Sequence, residues 1–290
     1  MNNKTGIIIL FILSCSLPLR AQNRVTWGFT ERLRFLTWDN AVTLDDTRET
    51  GNTFTRHRTS FWINTGITEG LEFRVKLTNE FRYYFTPERD FTLHEVIADN
   101  LYLKWKNRRG LNFDLTAGRQ NIMLGEGFLV MDGGPLDGSR AIYFNALRLD
   151  FLLAKKQTLT LFGLSQPRLD DLPVLNNQDQ VLIEQPEKGI GAYYSKTGGR
   201  VGIDAYVIRK ITDETDAMPV QQSLNTFGAR LSVPFSERFS LTAEGALQSG
   251  EWGERDHSAK GGYFHADYHF PVKRGVKGIT VGGFALSGDD

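Results

Sequence analysis

The chain has 290 residues, in which 34 Lys plus Arg balance 34 Asp plus Glu, and 40% of residues are hydrophobic at a mean hydropathy of -0.31. A formal net charge of zero removes the bulk basicity that nucleic-acid binding would need, so no nucleic-acid partner is expected. The one cysteine, Cys15, lies in the N-terminal segment, which excludes a disulfide framework or a cysteine-based metal site from the rest of the chain.

Lys4 precedes an apolar run over 6–13, followed by "SCSLPLRAQ". This is the pattern of a secretory signal with cleavage near Ala21 or Gln22, and the run is too short to cross a bilayer as a helix. "ILSC" resembles a lipoprotein acylation box, but the apolar run before it is short, and the secretory reading is kept. The expected organisation is a signal peptide over 1–22 and one domain over 23–290. No later stretch approaches the roughly 20 apolar residues of a membrane helix. If the exported chain enters a membrane, it does so as strands.

Period-2 segments bounded by turn residues follow in order: 25–38, 53–67, 71–85, 94–106, 111–121, 141–152, 158–165, 189–195, 200–210, 224–234, 239–249, 262–270 and 278–287. Tight turns at 68–70, 107–110, 154–157, 196–199, 236–238 and 272–277 follow every second segment. The other connections are longer and polar, notably 39–52, 122–140 and 166–188. Short turns at one end and long loops at the other, with many segments of about ten residues or more, are the layout of an antiparallel up-and-down transmembrane β-barrel in the bacterial outer membrane. A soluble sandwich, whose strands cluster at about five to six residues, is the weaker reading.

The segment "LEFRVKLTNEFRYYF" at 71–85 carries the pattern most clearly. Leu71, Phe73, Val75, Leu77, Phe81, Tyr83 and Phe85 share one face; Glu72, Arg74, Lys76, Thr78, Glu80 and Arg82 share the other. Turning the strand over would present its cations to hydrocarbon at up to roughly 2–4 kcal/mol each near the midplane. The greasy face therefore meets lipid and the charged face an aqueous lumen. Trp27, Phe29, Phe61, Phe81, Tyr83, Phe85, Trp105, Phe151, Phe239, Phe264 and Phe270 fall on the outward face and suit interfacial girdles.

The same parity places Arg32, Arg34, Arg56, Arg58, Arg74, Lys76, Arg82, Lys104, Arg148, Lys210 and Arg230 inward, against the acids Glu72, Glu80, Asp114, Asp150, Asp204, Glu244 and Asp267. A basic lumen in a low-dielectric wall concentrates anions. Cross-strand pairing of these charges would only stiffen the wall, yet the cation surplus has no partner evident in the sequence. The expectation is an anion-selective pore, with a general or small-anion uptake porin and a non-conducting receptor or adhesin barrel as alternatives.

Residues 115–150, "LTAGRQNIMLGEGFLVMDGGPLDGSRAIYFNALRLD", resemble outer-membrane proteins of the alginate export family. The matching positions are Gly118, Arg119 and Gln120, then Gly125 and Glu126, then Phe144 to Leu149 with Arg148 as the basic residue. Asn145 stands where the family carries an acid. The resemblance implies an eighteen-stranded barrel that passes an anionic polysaccharide or oligosaccharide, in contact with outer-membrane lipid and lipopolysaccharide and supplied by periplasmic export machinery. It adds Arg119 to the substrate-contacting set. The last segment ends in "FALSGDD", where a long loop should begin, and thirteen is an odd strand number, so further strands are expected beyond it.

His265, Asp267 and His269 share one strand face at i, i+2 and i+4, and Asp45, Asp46, Asp170, Asp171, Asp289 and Asp290 sit in predicted loops, but none has a full metal-ligand pattern. No G-x-S-x-G occurs, and the outward-facing His57 has no obvious serine partner. Neither an enzyme, nor a metal, nor a cofactor is expected.

Overall fold

The computed structural model describes residues 25–39, 51–90, 96–131, 143–170, 172, 174–175, 180–272 and 275–287. The expected signal segment, Cys15, Asp45, Asp46, Asp171, Asp289 and Asp290 lie outside the described residues. The strands are β1 Val25–Trp38, β2 Asn52–Thr68, β3 Leu71–Thr86, β4 Val96–Asn107, β5 Phe113–Gln120, β6 Phe144–Ala154, β7 Gln157–Gln166, β8 Leu169–Asp170, β9 Gln180–Val181, β10 Glu187–Lys196, β11 Gly202–Thr212, β12 Gln222–Pro234, β13 Phe239–Trp252, β14 Arg255–His269 and β15 Gly278–Leu286. All but β8 and β9 form one 13-stranded antiparallel sheet in which chain neighbours are sheet neighbours, while β8 and β9 pair as a two-stranded ribbon between β7 and β10. The fold is all-β and up-and-down.

The expected segments match the strands of the sheet one for one, with one correction. A long connection was expected between 249 and 262, but the ladder of β13 and β14 continues through Ser249↔Ser258 to Trp252↔Arg255 and closes on a turn at Gly253–Glu254. Cross-strand pairing outweighs the Gly-rich and polar composition that read as loop.

Alternation is what the sheet is made of. In β1 the odd positions Trp27, Phe29, Leu33 and Phe35 are exposed, Trp27 at 67%, whereas Arg32, Arg34 and Leu36 on the other face are half-buried. Leu101, Leu103 and Trp105 of β4, Leu147 of β6, Ile190 of β10 and Phe227 and Leu231 of β12 continue the exposed apolar face. An all-round band of this kind is incompatible with water and fits lipid.

The sheet is curled, as one loop makes clear. Glu126, six residues beyond the end of β5, reaches the Tyr263 hydroxyl and His265 Nε2 on β14, each at 3.0 Å. On a flat sheet, β14 would lie about 34 Å from β5 at roughly 4.8 Å per strand. Six extended residues reach about 21 Å, and this stretch is not extended, because it turns where Gly127 N–H donates to the Leu124 carbonyl. The chord is shorter than the arc, so the wall bends around the loop and the charged face is concave. Ile122, Leu124 and Val130 of the loop pack on Phe162, Tyr193 and Tyr206, making a small core inside the curl. At Gly125 a Cβ would sit 2.7 Å from the Tyr193 hydroxyl, and φ is +60° there, so both space and backbone require glycine.

The two edges, β1 and β15, are the first and last of thirteen alternating strands and therefore run the same way.

Leu103, on the outward face of β4, tests the sidedness. Leu103→Arg is expected to lower stability by about 2–4 kcal/mol if it lies near the midplane, and by clearly more than Leu103→Ala, in equilibrium unfolding from lipid vesicles.

Candidate functional site

The inner face of β1 to β3 is basic by register. Arg32 stands opposite Arg58, and Arg34, Arg56 and Arg82 form one row across three strands. Like charges placed directly opposite one another cost stability, so this row is unusual for a wall built only to be stiff. Arg58 also faces Glu80 and is ion-paired with it. Aromatic rings carry several of the guanidinium groups: Arg74 lies over Trp62 at 5.1 Å, Arg82 over Phe54 at 5.4 Å and Arg89 over Tyr84 at 4.3 Å. Stacking fixes the plane of each fork while leaving N–H edges for an acceptor. Arg74 also donates to Asn64 Oδ1 at 3.0 Å and Asn100 Oδ1 at 3.1 Å.

Around the wall the cations meet acids. A β-bulge opposite Lys76 and Leu77 aims the fully buried Asp99 at Lys76, 2.5 Å away, and Thr78 also donates to it at 3.1 Å. Lys104 pairs with Asp114 at 2.9 Å, Arg148 with Asp150 at 2.9 Å, and Lys210 with Glu187 at 3.0 Å. Arg230 holds Asp204 at 2.5 Å and the loop residue Glu126 at 3.0 Å. No partner for the cation surplus was evident in the sequence; the assembled wall places acids beside Arg58, Lys76, Lys104, Arg148, Lys210 and Arg230. The basic character is concentrated on β1 to β3, whereas β11 to β14 contribute Asp204, Glu244 and Asp267, with Glu126 above them.

Glu126 is the latch of the inward loop. It joins Arg230, the Tyr263 hydroxyl and His265 Nε2, while His265 Nδ1 meets Asp267 at 2.8 Å and Tyr263 also donates to Glu244 at 2.8 Å. His265 and Asp267 therefore act within a hydrogen-bond network, and no group of three His, Cys, Asp or Glu suited to a metal occurs among the described residues.

Arg119 needs a second correction. It was expected to line the lumen for substrate, but it is 7% exposed and makes a two-pronged pair with the fully buried Asp170, at 3.0 and 3.2 Å. Its guanidinium also stacks on Tyr143 at 3.9 Å and donates to the Ala98 carbonyl at 3.0 Å. The preceding Gly118 has a φ of +122°, with a hypothetical Cβ 2.4 Å from the Leu101 carbonyl oxygen, so the backbone there requires glycine. Asn145, in place of the family's acid, accepts from Arg119 Nε at 3.2 Å. Tyr143 donates to Asp170, and burial together with that carboxylate pushes its phenol well above the usual range, so it remains a donor. The group clamps the loop after β7 onto β5. Asp170, read as a loop acid, is its centre.

No protein-family model matches the chain, and no curated protein matches it. Among solved structures it is similar to a loop-deletion mutant of OmpT, an outer membrane protein of Vibrio cholerae, at 9% identity over 91% of this chain and 99% of that one, with a TM-score of 0.42. It is also similar to a BenF-like porin from Pseudomonas fluorescens Pf-5, at 10% identity over 91% and 82% of the two chains, TM-score 0.46. These likenesses are distant, and the assignment rests on the wall itself. Up-and-down strands, an apolar outer band, a charged concave face and an inward-folded loop define the class: an outer-membrane β-barrel, since only a sheet whose backbone is paired strand to strand can stand in lipid.

Two variants test the loop anchors. Asp170→Ala leaves the Arg119 charge buried without its acid and is expected to cost about 3–5 kcal/mol in equilibrium unfolding. Glu126→Gln, which keeps the shape but weakens the bond to Arg230, is expected to leave global stability nearly unchanged while raising protease cleavage between 122 and 131.

Proposed function

We propose that the chain forms an outer-membrane, anion-favouring pore that passes an anionic polysaccharide or oligosaccharide, of the kind the alginate-export resemblance implies, along its arginine-rich wall. The observation that carries this reading is the row Arg34, Arg56 and Arg82, with Arg32 and Arg58 one row away. Rows on a strand repeat every two residues, roughly 6.5–7 Å. Such a ladder offers forked donors at regular intervals, which suits repeated carboxylates better than a single small anion. The aromatic rings beneath Arg74, Arg82 and Arg89 favour the same ligand, since they hold the guanidinium planes in place before it arrives.

In this reading Arg32, Arg34, Arg56, Arg58, Arg74 and Arg82 guide the substrate. Lys76, Lys104, Arg148 and Arg230, each facing an acid, set the field around it. Contact with the ligand is electrostatic and hydrogen-bonded, with no chemistry performed on it, and delivery from the periplasm would fall to separate machinery. The opposition of a basic wall to the acids near the latch adds a transverse field that would orient a charged chain as it passes.

The reversal potential of the protein in a planar bilayer under a salt gradient tests this. Anion preference is expected, together with current block by oligouronate. The triple variant Arg34→Glu, Arg56→Glu, Arg82→Glu is expected to shift the preference toward cations and abolish the block. Cation preference in the parent, or an unchanged potential in a correctly folded variant, would overturn the reading.

A further inference from the structure

The outward face of β1 and β2 carries a polar cluster that a lipid-facing wall does not require. Glu31 of β1 sits among Trp27, Phe29, Leu33 and Phe35, and across the strand pair it meets His57 of β2, with Nδ1 3.3 Å from Oε1. The other ring nitrogen, Nε2, lies 3.2 Å from Thr55 Oγ1. Thr59 donates to the second oxygen of Glu31, and Phe81 stacks flat on the imidazole, 4.4 Å between centroids and 4° between planes. The ring is therefore oriented by an acid at one nitrogen, packed on its face, and presented to a hydroxyl at the other.

We propose that Thr55, His57 and Glu31 form an ester-cleaving site on the outer wall, acting on acyl esters of membrane lipids. With Glu31 as a carboxylate, Nδ1 carries the proton and Nε2 turns its lone pair toward the Thr55 hydroxyl; a nucleophile, a base and an orienting acid then stand in hydrogen-bond sequence. Thr55 Oγ attacks the ester carbonyl carbon and its proton passes to His57 Nε2. The alcohol leaves with that proton. Water then attacks the threonyl ester, gives its proton to the same nitrogen, and releases the fatty acid as the hydroxyl is restored. The net reaction is ester plus water to acid plus alcohol.

Placement chooses the substrate. Thr55 stands in register between Phe35 and Tyr83, beside Phe85, which contacts both rings at 6.2 and 5.2 Å between centroids. Aromatic clusters of this kind mark the membrane interface, the level of lipid ester bonds. The neighbouring backbone N–H groups are engaged in the ladder and cannot serve a developing oxyanion, so turnover is expected to be slow. The sequence held one signal for this site: Thr55 and His57, two apart, share a strand face. A search for serine alone passes over it.

The test uses the full chain refolded in detergent micelles, its fold checked by circular dichroism and heat-modifiable gel mobility. p-Nitrophenyl laurate and diacyl phosphatidylethanolamine serve as substrates. Hydrolysis is expected for the parent and for Thr55→Ser, with losses of about 100-fold in Thr55→Val and His57→Gln and about 10-fold in Glu31→Gln. A fluorophosphonate probe is expected to add to residue 55 in the parent and in Thr55→Ser. A folded parent with neither turnover nor adduct, or a Thr55→Val variant as active as the parent, would overturn the site. The pore lining is on the opposite face, so either result leaves the reading of the lumen untouched.

Discussion

Everything in this molecule depends on a period of two. Successive side chains leave a strand on opposite faces, and the backbone between them is paired strand to strand, so one sheet separates a greasy medium from a wet one without exposing peptide groups to hydrocarbon. Because thirteen strands obey that period together, a chain with no net charge acquires a strongly charged surface. The sorting is spatial rather than compositional.

Curling turns the sorted face into an environment. The loop beyond β5 crosses the concave side and is held at its tip by Glu126 on Arg230, Tyr263 and His265, while Ile122, Leu124 and Val130 pack against the wall behind it. The loop beyond β7 is fixed by Arg119 on Asp170. The two anchors differ physically. The Glu126 latch is a part-exposed ionic and hydrogen-bonded junction that solvent screens, whereas the Arg119 clamp is buried and cannot lose either partner without stranding a charge. The first suits a segment that narrows a passage and the second a segment that holds its shape.

Two features depart from economy, one on each face of the wall. A row of arginines in direct register is maintained on the inner wall, and a Glu–His–Thr chain is maintained on the outer one. Elsewhere on the inner wall acids stand beside cations, as Asp99 does beside Lys76, Asp114 beside Lys104 and Asp204 beside Arg230.

The sequence by itself determined the strands, the alternation of short turns with longer connections and the side on which Arg34, Arg56 or Arg82 would fall, because side-chain direction in a strand is a local property. It could not determine which residues stand opposite one another. Register belongs to pairs of strands, so the arginine row, the bulge that aims Asp99 at Lys76 and the joining of His57 to Glu31 emerged only from the assembled sheet. Long-range contacts overrode other readings. Arg119, given to the lumen by the family resemblance, is held in a clamp with a residue 51 positions away, and the β13–β14 ladder runs through a stretch that reads as loop. Contacts as distant as Glu126 to His265, 139 positions apart, exist because the sheet bends, and bending is a property of many strands at once.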